Sequence, residues 1–241
     1  MVTMKSPLAR VWVVCLGLTC APVTLADTRV SLHVATPGAT AIVSTPTLKG
    51  SVAVQSWKDR RDAQIVKQDL DYSCGAASLA TILNGFYGEA VTEEQILKAM
   101  NKEDGMASFS DMAAVLPHLS TSEGLQGSFK GVGLALSFAQ LQKIKVPAIV
   151  YLRYRGDDHF SVLRGISENT VWLGDPSWGN RRLSLHQFLE MWETRDDPGY
   201  KGKVLLILPS SASVAPGIHA AFFHPPEPNP LPVELLGIRQ F

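Results

Sequence analysis

Cysteine is scarce in this 241-residue chain, which has only Cys15, Cys20 and Cys74. Three thiols and six scattered histidines offer no zinc-binding spacing. The first two cysteines lie in a segment laid out like an export signal. Met1 to Arg10 carries Lys5 and Arg10 and no acid, an apolar stretch runs from Val11 to Leu18, and Thr24-Leu25-Ala26 puts small residues before a cut. A cleaved signal ending at Ala26 is expected, since the apolar run is too short, and too soon broken by Pro22, for a membrane span. Cys74 is then the one cysteine left, which excludes an internal disulfide. By itself a lone cysteine reads as a small buried hydrophobe.

An excess of charge is missing as well. Lysine plus arginine and aspartate plus glutamate each number 22. Removing Lys5 and Arg10 leaves 20 basic residues against 22 acidic ones, so the mature chain sits about two charges negative. No basic field is present to draw nucleic acid or an anionic bilayer, and neither partner is expected, nor is stable membrane insertion. There is no internal repeat, no Gly-x-x-x-x-Gly-Lys-Ser/Thr phosphate loop and no dinucleotide fingerprint; Gly131-Val-Gly133 reads as a turn.

What is there is a globular composition, 46% apolar and 18% charged, with about 215 residues remaining after cleavage. Residues 27–56 read as an N-terminal extension with one or two edge strands. Residues 57–208 form the compact domain. Residues 209–241 form a tail with seven prolines, polyproline-like or disordered. Its apolar patches, Ala220 to Phe223 and Val233 to Leu236, are either incidental residues of a surface tail or docking segments.

Within the domain, apolar spacing predicts a buried helix over Gly75–Phe86. Thr92-Glu-Glu-Gln95 is a capping box that opens a helix running to about Met100. Ser108-Phe-Ser-Asp111 opens another that should end near Pro117, and Phe138–Lys143 suggests a fourth. Strands follow at Ala148–Leu152, Phe160–Leu163, Thr170–Leu173 and Val204–Leu208, and the capping box Ser184–Gln187 opens a short helix packing Phe188, Leu189 and Trp192. Helices first and a mostly antiparallel sheet second is the α+β class.

Cys74 gains weight from this frame. It falls at the N-terminus of the predicted buried helix, where unpaired amides and the positive dipole end favour a thiolate. Gly75 should let a substrate backbone approach closely. Five histidines read as surface residues: His33, His219 and His224 in the extensions, His118 after a helix-ending proline, and His186 in the first turn of a helix. His159 differs because it begins a strand. The strands His159–Ile166 and Thr170–Asp175 are joined by the tight turn Ser167-Glu168-Asn169, which sets His159 opposite residues 175–177. Asp175 is therefore placed to accept the second ring N–H and fix the tautomer. It is favoured over Asp158, which should face the other way, and over Asp157, which reads as part of a Gly-containing loop. Gln68, six residues before Cys74, is a candidate to join the Cys74 backbone N–H in an oxyanion hole. The tryptophans left after cleavage, Trp57, Trp172, Trp178 and Trp192, read as core or groove packing.

Three stretches, Gln68-Asp-Leu-Asp-Tyr-Ser-Cys-Gly-Ala-Ala, Asp158-His-Phe-Ser-Val-Leu-Arg-Gly-Ile and Leu173-Gly-Asp-Pro-Ser-Trp-Gly-Asn with a following Leu-Ser-Leu-His-Gln-Phe, resemble the bacteriocin-processing peptidase family. These are papain-like cysteine peptidases that remove leader peptides, often after a double glycine. The resemblance spans Trp57–Leu208. It implies a papain-like α+β fold, a helical half carrying the cysteine and an antiparallel sheet half carrying His and Asp. It also implies Cys74 as nucleophile, His159 as base, Asp175 as orienter, Gln68 in the oxyanion hole and a polypeptide substrate, with no metal or organic cofactor. The best-known members sit at the front of peptide-exporting transporters. This chain resembles instead the stand-alone, signal-bearing members of Gram-negative envelopes, some of which accompany secreted functional amyloid and its secretion system. A periplasmic endopeptidase is the expectation. The alternatives are a non-proteolytic thiol acyltransferase or amidase, since a triad fixes acyl transfer but not the acceptor, and a module that holds an export substrate without cutting it.

Overall fold

A computed structural model describes residues 40–44, 49–53, 56–102, 105–122, 125–210 and 220–223. The signal segment and His33, His219 and His224 lie outside them. Two compact units divide the chain at Val54 and Gln55. In the first, β1 (Thr40–Ser44) pairs antiparallel with β2 (Lys49–Ala53).

In the second unit helices lead. They are α1 (Trp57–Arg61), α2 (Cys74–Tyr87), α3 (Glu93–Met100) and α4 (Phe109–Ser122). Then come β3 (Phe129–Leu136), α5 (Phe138–Leu141), β4 (Ala148–Tyr154), β5 (Asp157–Ile166), β6 (Thr170–Asp175), β7 (Gly179–Ser184), α6 (Leu185–Trp192), β8 (Gly202–Pro209) and the short α7 (Ala220–Phe223). The six strands β3 to β8 form one antiparallel sheet in the order β3-β8-β4-β5-β6-β7. This is the α+β arrangement the sequence predicts.

Capping chemistry sets the starts of four helices. Ser56, Thr92, Ser137 and Ser184 each accept from the residue three on, whose side chain reaches back to the cap N–H. The sheet is buried on both faces. Along β4, Ile149 and Tyr151 join the core under α2, α3 and α4, while Ala148, Val150 and Leu152 join the core under α6. The unbroken apolar run Ala148–Leu152 is the sequence record of that double burial.

Two expectations about backbone fail. Helix α4 does not stop near Pro117 but continues to Ser122. Proline removes one intrahelical donor, yet Leu116 and Leu119 on either side of it are fully buried, and that packing carries the helix on. His118 is accordingly an exposed helical residue. Gly131 and Gly133 are not a turn but the middle of β3. A Cβ at Gly131 would come within 2.7 Å of the Ala113 backbone, so glycine there lets α4 lie directly on the strand.

The tail segment α7 packs against the domain. Phe222 is wholly buried, its ring 5.8 Å from that of Phe86 on α2, a burial that contributes about 1.5–3 kcal/mol.

Candidate active site

Cys74 is the first residue of α2 and is almost fully buried. The residue before it, Ser73, does not cap the helix with its side chain. Its hydroxyl turns back to donate to the Leu70 carbonyl at 2.7 Å and to accept from the Leu70 N–H. The helix start is thus kept clear of a side-chain oxygen that would compete for its amides. Gly75 serves the interior rather than the cleft: a Cβ there would meet Met112 Sδ at 3.2 Å and the Phe160 ring at 3.3 Å. The expectation that it admits a substrate backbone gives way to a packing role.

His159 lies near the start of β5. Its Nε2 is 3.1 Å from Asp175 Oδ2, which leaves Nδ1 to face other partners, and Cys74 is near enough to favour the charged ring. The β5–β6 register pairs Val162 with Gly174. Continued outward, it sets Ser161 opposite Asp175 and His159 opposite Ser177, so the two partners are diagonal neighbours on one face rather than directly opposed. The turn after β6 closes the difference. Asp175 Oδ1 accepts from the Ser177 and Trp178 backbone N–H groups at 2.9 and 3.0 Å, which directs Oδ2 toward the imidazole.

Asp158 points to the opposite face, where its carboxylate accepts from the Tyr151 hydroxyl and lies 3.8 Å from Arg153 Nε. Asp157 is not in a flexible loop. It starts β5 opposite Tyr154, across the two-residue turn Arg155-Gly156, where both residues have positive φ. Of the three aspartates, Asp175 alone bonds His159.

The electrostatics follow from burial and partners. Burial resists charging of His159, but the hydrogen bonds and charges of Asp175 and Cys74 outweigh it and lift the imidazole from 6.5 to about 9. Asp175 is only 1% exposed, and burial alone would raise its carboxyl. The bond and charge of His159, with the turn amides, win and hold it below its ordinary range. A protonated ring beside a buried carboxylate is the state these contacts favour.

Gln68 sits between the two parts of the site. Its backbone N–H donates to the Pro176 carbonyl at 3.2 Å, and its Oε1 accepts from the Ser177 hydroxyl at 2.5 Å. Its Nε2 donates to the Leu70 carbonyl at 2.8 Å and reaches the Asp71 carbonyl only at 3.4 Å, so one amide N–H is weakly held on the loop that leads into Cys74.

Other residues complete the surroundings and escaped the sequence reading. Ser177 anchors Gln68 to the turn below His159. Arg181 lies 3.9 Å from Asp175 Oδ2, with its guanidinium over the rings of Trp178 and Tyr154. Trp178 is 55% exposed and Trp57 73%, so these two are not core residues, unlike Trp192. The signal for the first three was the stretch after Asp175, Pro-Ser-Trp-Gly-Asn-Arg, whose polar residues serve a turn. Phe160, which backs Gly75, also lines a pocket of about 440 Å³ with Met106, Phe109 and Tyr151, rimmed by Asp158 and Lys203.

A cysteine at a helix start and a strand-borne His–Asp pair on an α+β frame is the layout of papain-like cysteine peptidases. The chain belongs to the Peptidase C39 family, whose profile matches residues 62–195, more than half of its length. Among curated proteins it is 35% identical over 144 residues to the probable functional amyloid protease FapD of Pseudomonas aeruginosa and 35% identical over 146 residues to that of Pseudomonas fluorescens. Each match covers 58% of this chain and 61% of the relative, so the chain spans about three fifths of the relatives' length. Among solved structures, a double glycine motif protease from an AMS/PCAT transporter, in complex with the leader peptide, aligns over 61% of this chain and 91% of its own at 22% identity, TM-score 0.47. The peptidase domain of Streptococcus ComA aligns over 60% of this chain and 97% of its own at 18% identity, TM-score 0.47.

Proposed function

We propose that the protein is an exported endopeptidase that processes a secreted polypeptide, with Cys74 as nucleophile, His159 as general base and acid, Asp175 as orienting carboxylate, and Gln68 with the Cys74 backbone N–H as the oxyanion hole. One observation carries the assignment: His159 is hydrogen-bonded to the buried carboxylate of Asp175, and both Asp175 and Cys74 at the start of α2 favour its charged ring. His159 takes the Cys74 proton, and the sulfur attacks the scissile carbonyl carbon, forming a C–S bond and an oxyanion. Collapse breaks the C–N bond while His159 returns its proton to the leaving amine. A water, deprotonated by His159, then attacks the thioester, the C–S bond breaks, and the new carboxylate leaves as the thiol is restored. Asp175 keeps the ring turned toward sulfur throughout. The pocket lined by Met106, Phe109, Tyr151 and Phe160 suits an apolar substrate side chain.

The names of the Pseudomonas relatives support an amyloid-forming export substrate, and the signal-like segment before Asp27 supports a periplasmic location. Among the described residues no helix is long and apolar enough to cross a membrane. The test is mass spectrometry of envelope and secreted proteins from cells carrying the wild type or Cys74→Ala. A polypeptide that is shortened only with the wild type identifies the substrate and its cut. Identical peptide termini in both strains would contradict the reading.

A further inference from the structure

Arg164 is the one arginine of β5 and is 1% exposed. Its partners come from three parts of the chain. Nε donates to the Phe222 carbonyl at 2.5 Å, and the guanidinium lies 4.7 Å from the centre of the Phe222 ring. Nη2 donates to Gln64 Oε1 at 2.7 Å, and Nη1 donates to Asn180 Oδ1 at 2.5 Å and reaches the Ala63 carbonyl at 3.4 Å. Asn180 Nδ2 in turn donates to the carbonyls of Ala63 and Arg60. Gln64 holds a left-handed backbone, φ 58°, which a non-glycine residue keeps only when its surroundings impose it. Four residues later comes Gln68.

The groove under Phe222 is made to measure. A Cβ at Gly85 of α2 would come within 2.6 Å of the Phe222 ring, so that ring occupies the space a side chain would otherwise take. Phe223 packs edge-on against Phe86, and its carbonyl is 3.3 Å from where a Cβ of Gly165 would stand. The tail is thereby locked to α2 and β5, and its carbonyl holds the buried guanidinium that holds Gln64.

We propose that the tail segment Ala220–Phe223 is a positioning element of the active site, acting through Arg164 on segment 60–68 to hold Gln68 in place for the oxyanion. This rests on the role given to Gln68 above. Without the Phe222 ring the tail loses its seat on α2 and Arg164 the ring it lies over, so its hold on Gln64 loosens; segment 63–68 then keeps the Asn180 bond to the Ala63 carbonyl, the Ile65 N–H bond to Asp62, the Val66 N–H bond to Thr81 and the bonds of Gln68 itself.

Two reagents separate positioning from general damage. Iodoacetamide alkylates a thiolate with no tetrahedral oxyanion, whereas p-nitrophenyl acetate acylates the same sulfur through one. In the full chain, Phe222→Ala is expected to slow acylation of Cys74 about tenfold and alkylation less than about twofold, with Phe222→Leu restoring most of the loss. Gln64→Ala cuts the same link without emptying the core and should slow acylation in the same sense. Amide exchange provides a reading independent of chemistry: residues 60–68 should exchange faster in Phe222→Ala while Leu79–Leu83 of α2 are unchanged. Acylation and alkylation falling together, exchange rising throughout, or Gln64→Ala matching the wild type in both reactions and in exchange would overturn the proposal. A wild type that is alkylated at Cys74 yet never acylated would contradict the peptidase reading, and the exchange pattern would then decide the tail's role alone.

Discussion

Asp175 commits one carboxylate oxygen to its own backbone turn and the other to His159, so a single buried side chain bears on both the shape of the β6–β7 connection and the orientation of the imidazole. Asp175→Asn keeps the turn acceptor and replaces the charge. It should fold, and lower kcat by roughly 10²- to 10⁴-fold, while Cys74→Ala abolishes turnover. Asp157→Asn, at an exposed strand start, should leave kcat within about twofold. Steady-state kinetics on the identified substrate decides, and damage from Asp157→Asn with none from Asp175→Asn would refute the assignment. The same pair makes stability depend on pH. The folded value of His159, about 9, stands above its unfolded 6.5, so its stabilisation is complete below pH 6.5 and disappears as pH rises through 9. Asp175 is depressed, so its share is present above its ordinary 3.8 and is lost as pH falls through its lower folded value. Melting temperatures of the wild type and His159→Ala, compared from about pH 6 to about pH 10, should converge toward the alkaline end.

At the scale of elements, the sequence is most informative where one local rule suffices. The capping boxes at Thr92 and Ser184 mark helix starts to within a residue, and the unbroken apolar run marks β4. The pairing of His159 with Asp175 is legible too, because a tight turn leaves the β5–β6 hairpin little freedom; its diagonal offset is not, because it depends on where the turn after Asp175 begins. Strands β3 and β7 are hidden. Gly131 and Gly133 look like turn residues until α4 is seen to need the space, and Arg181 and Arg182 break the apolar alternation in β7, whose neighbours come from distant sequence. Pro117 misleads for a related reason: the burial that carries α4 past it is tertiary. Replacing this exposed proline restores a helix donor without touching the core, so Pro117→Ala should stabilise the protein by about 1–3 kcal/mol in urea unfolding. Destabilisation would show that the proline fixes a bend that the packing of α4 on β3 requires.

At the scale of the whole molecule, the two cores on either side of the sheet join the helical part that bears Cys74 to the strands that bear His159 and Asp175. Cleavage after Ala26 would leave Cys74 with no second cysteine to pair with in an oxidising compartment. N-terminal sequencing of the protein from an osmotic-shock fraction should begin at Asp27; a lipid-modified start at Cys20, or an intact Met1 in the membrane pellet, would contradict cleavage after Ala26. The central claim is that His159 and Cys74 work as an ion pair, and the pH dependence of Cys74 alkylation by iodoacetamide tests it most directly. The wild type should be alkylated far faster than His159→Ala at neutral pH, because the variant lacks the imidazole that draws the thiol proton. Equal rates for the two proteins across the neutral range would contradict it.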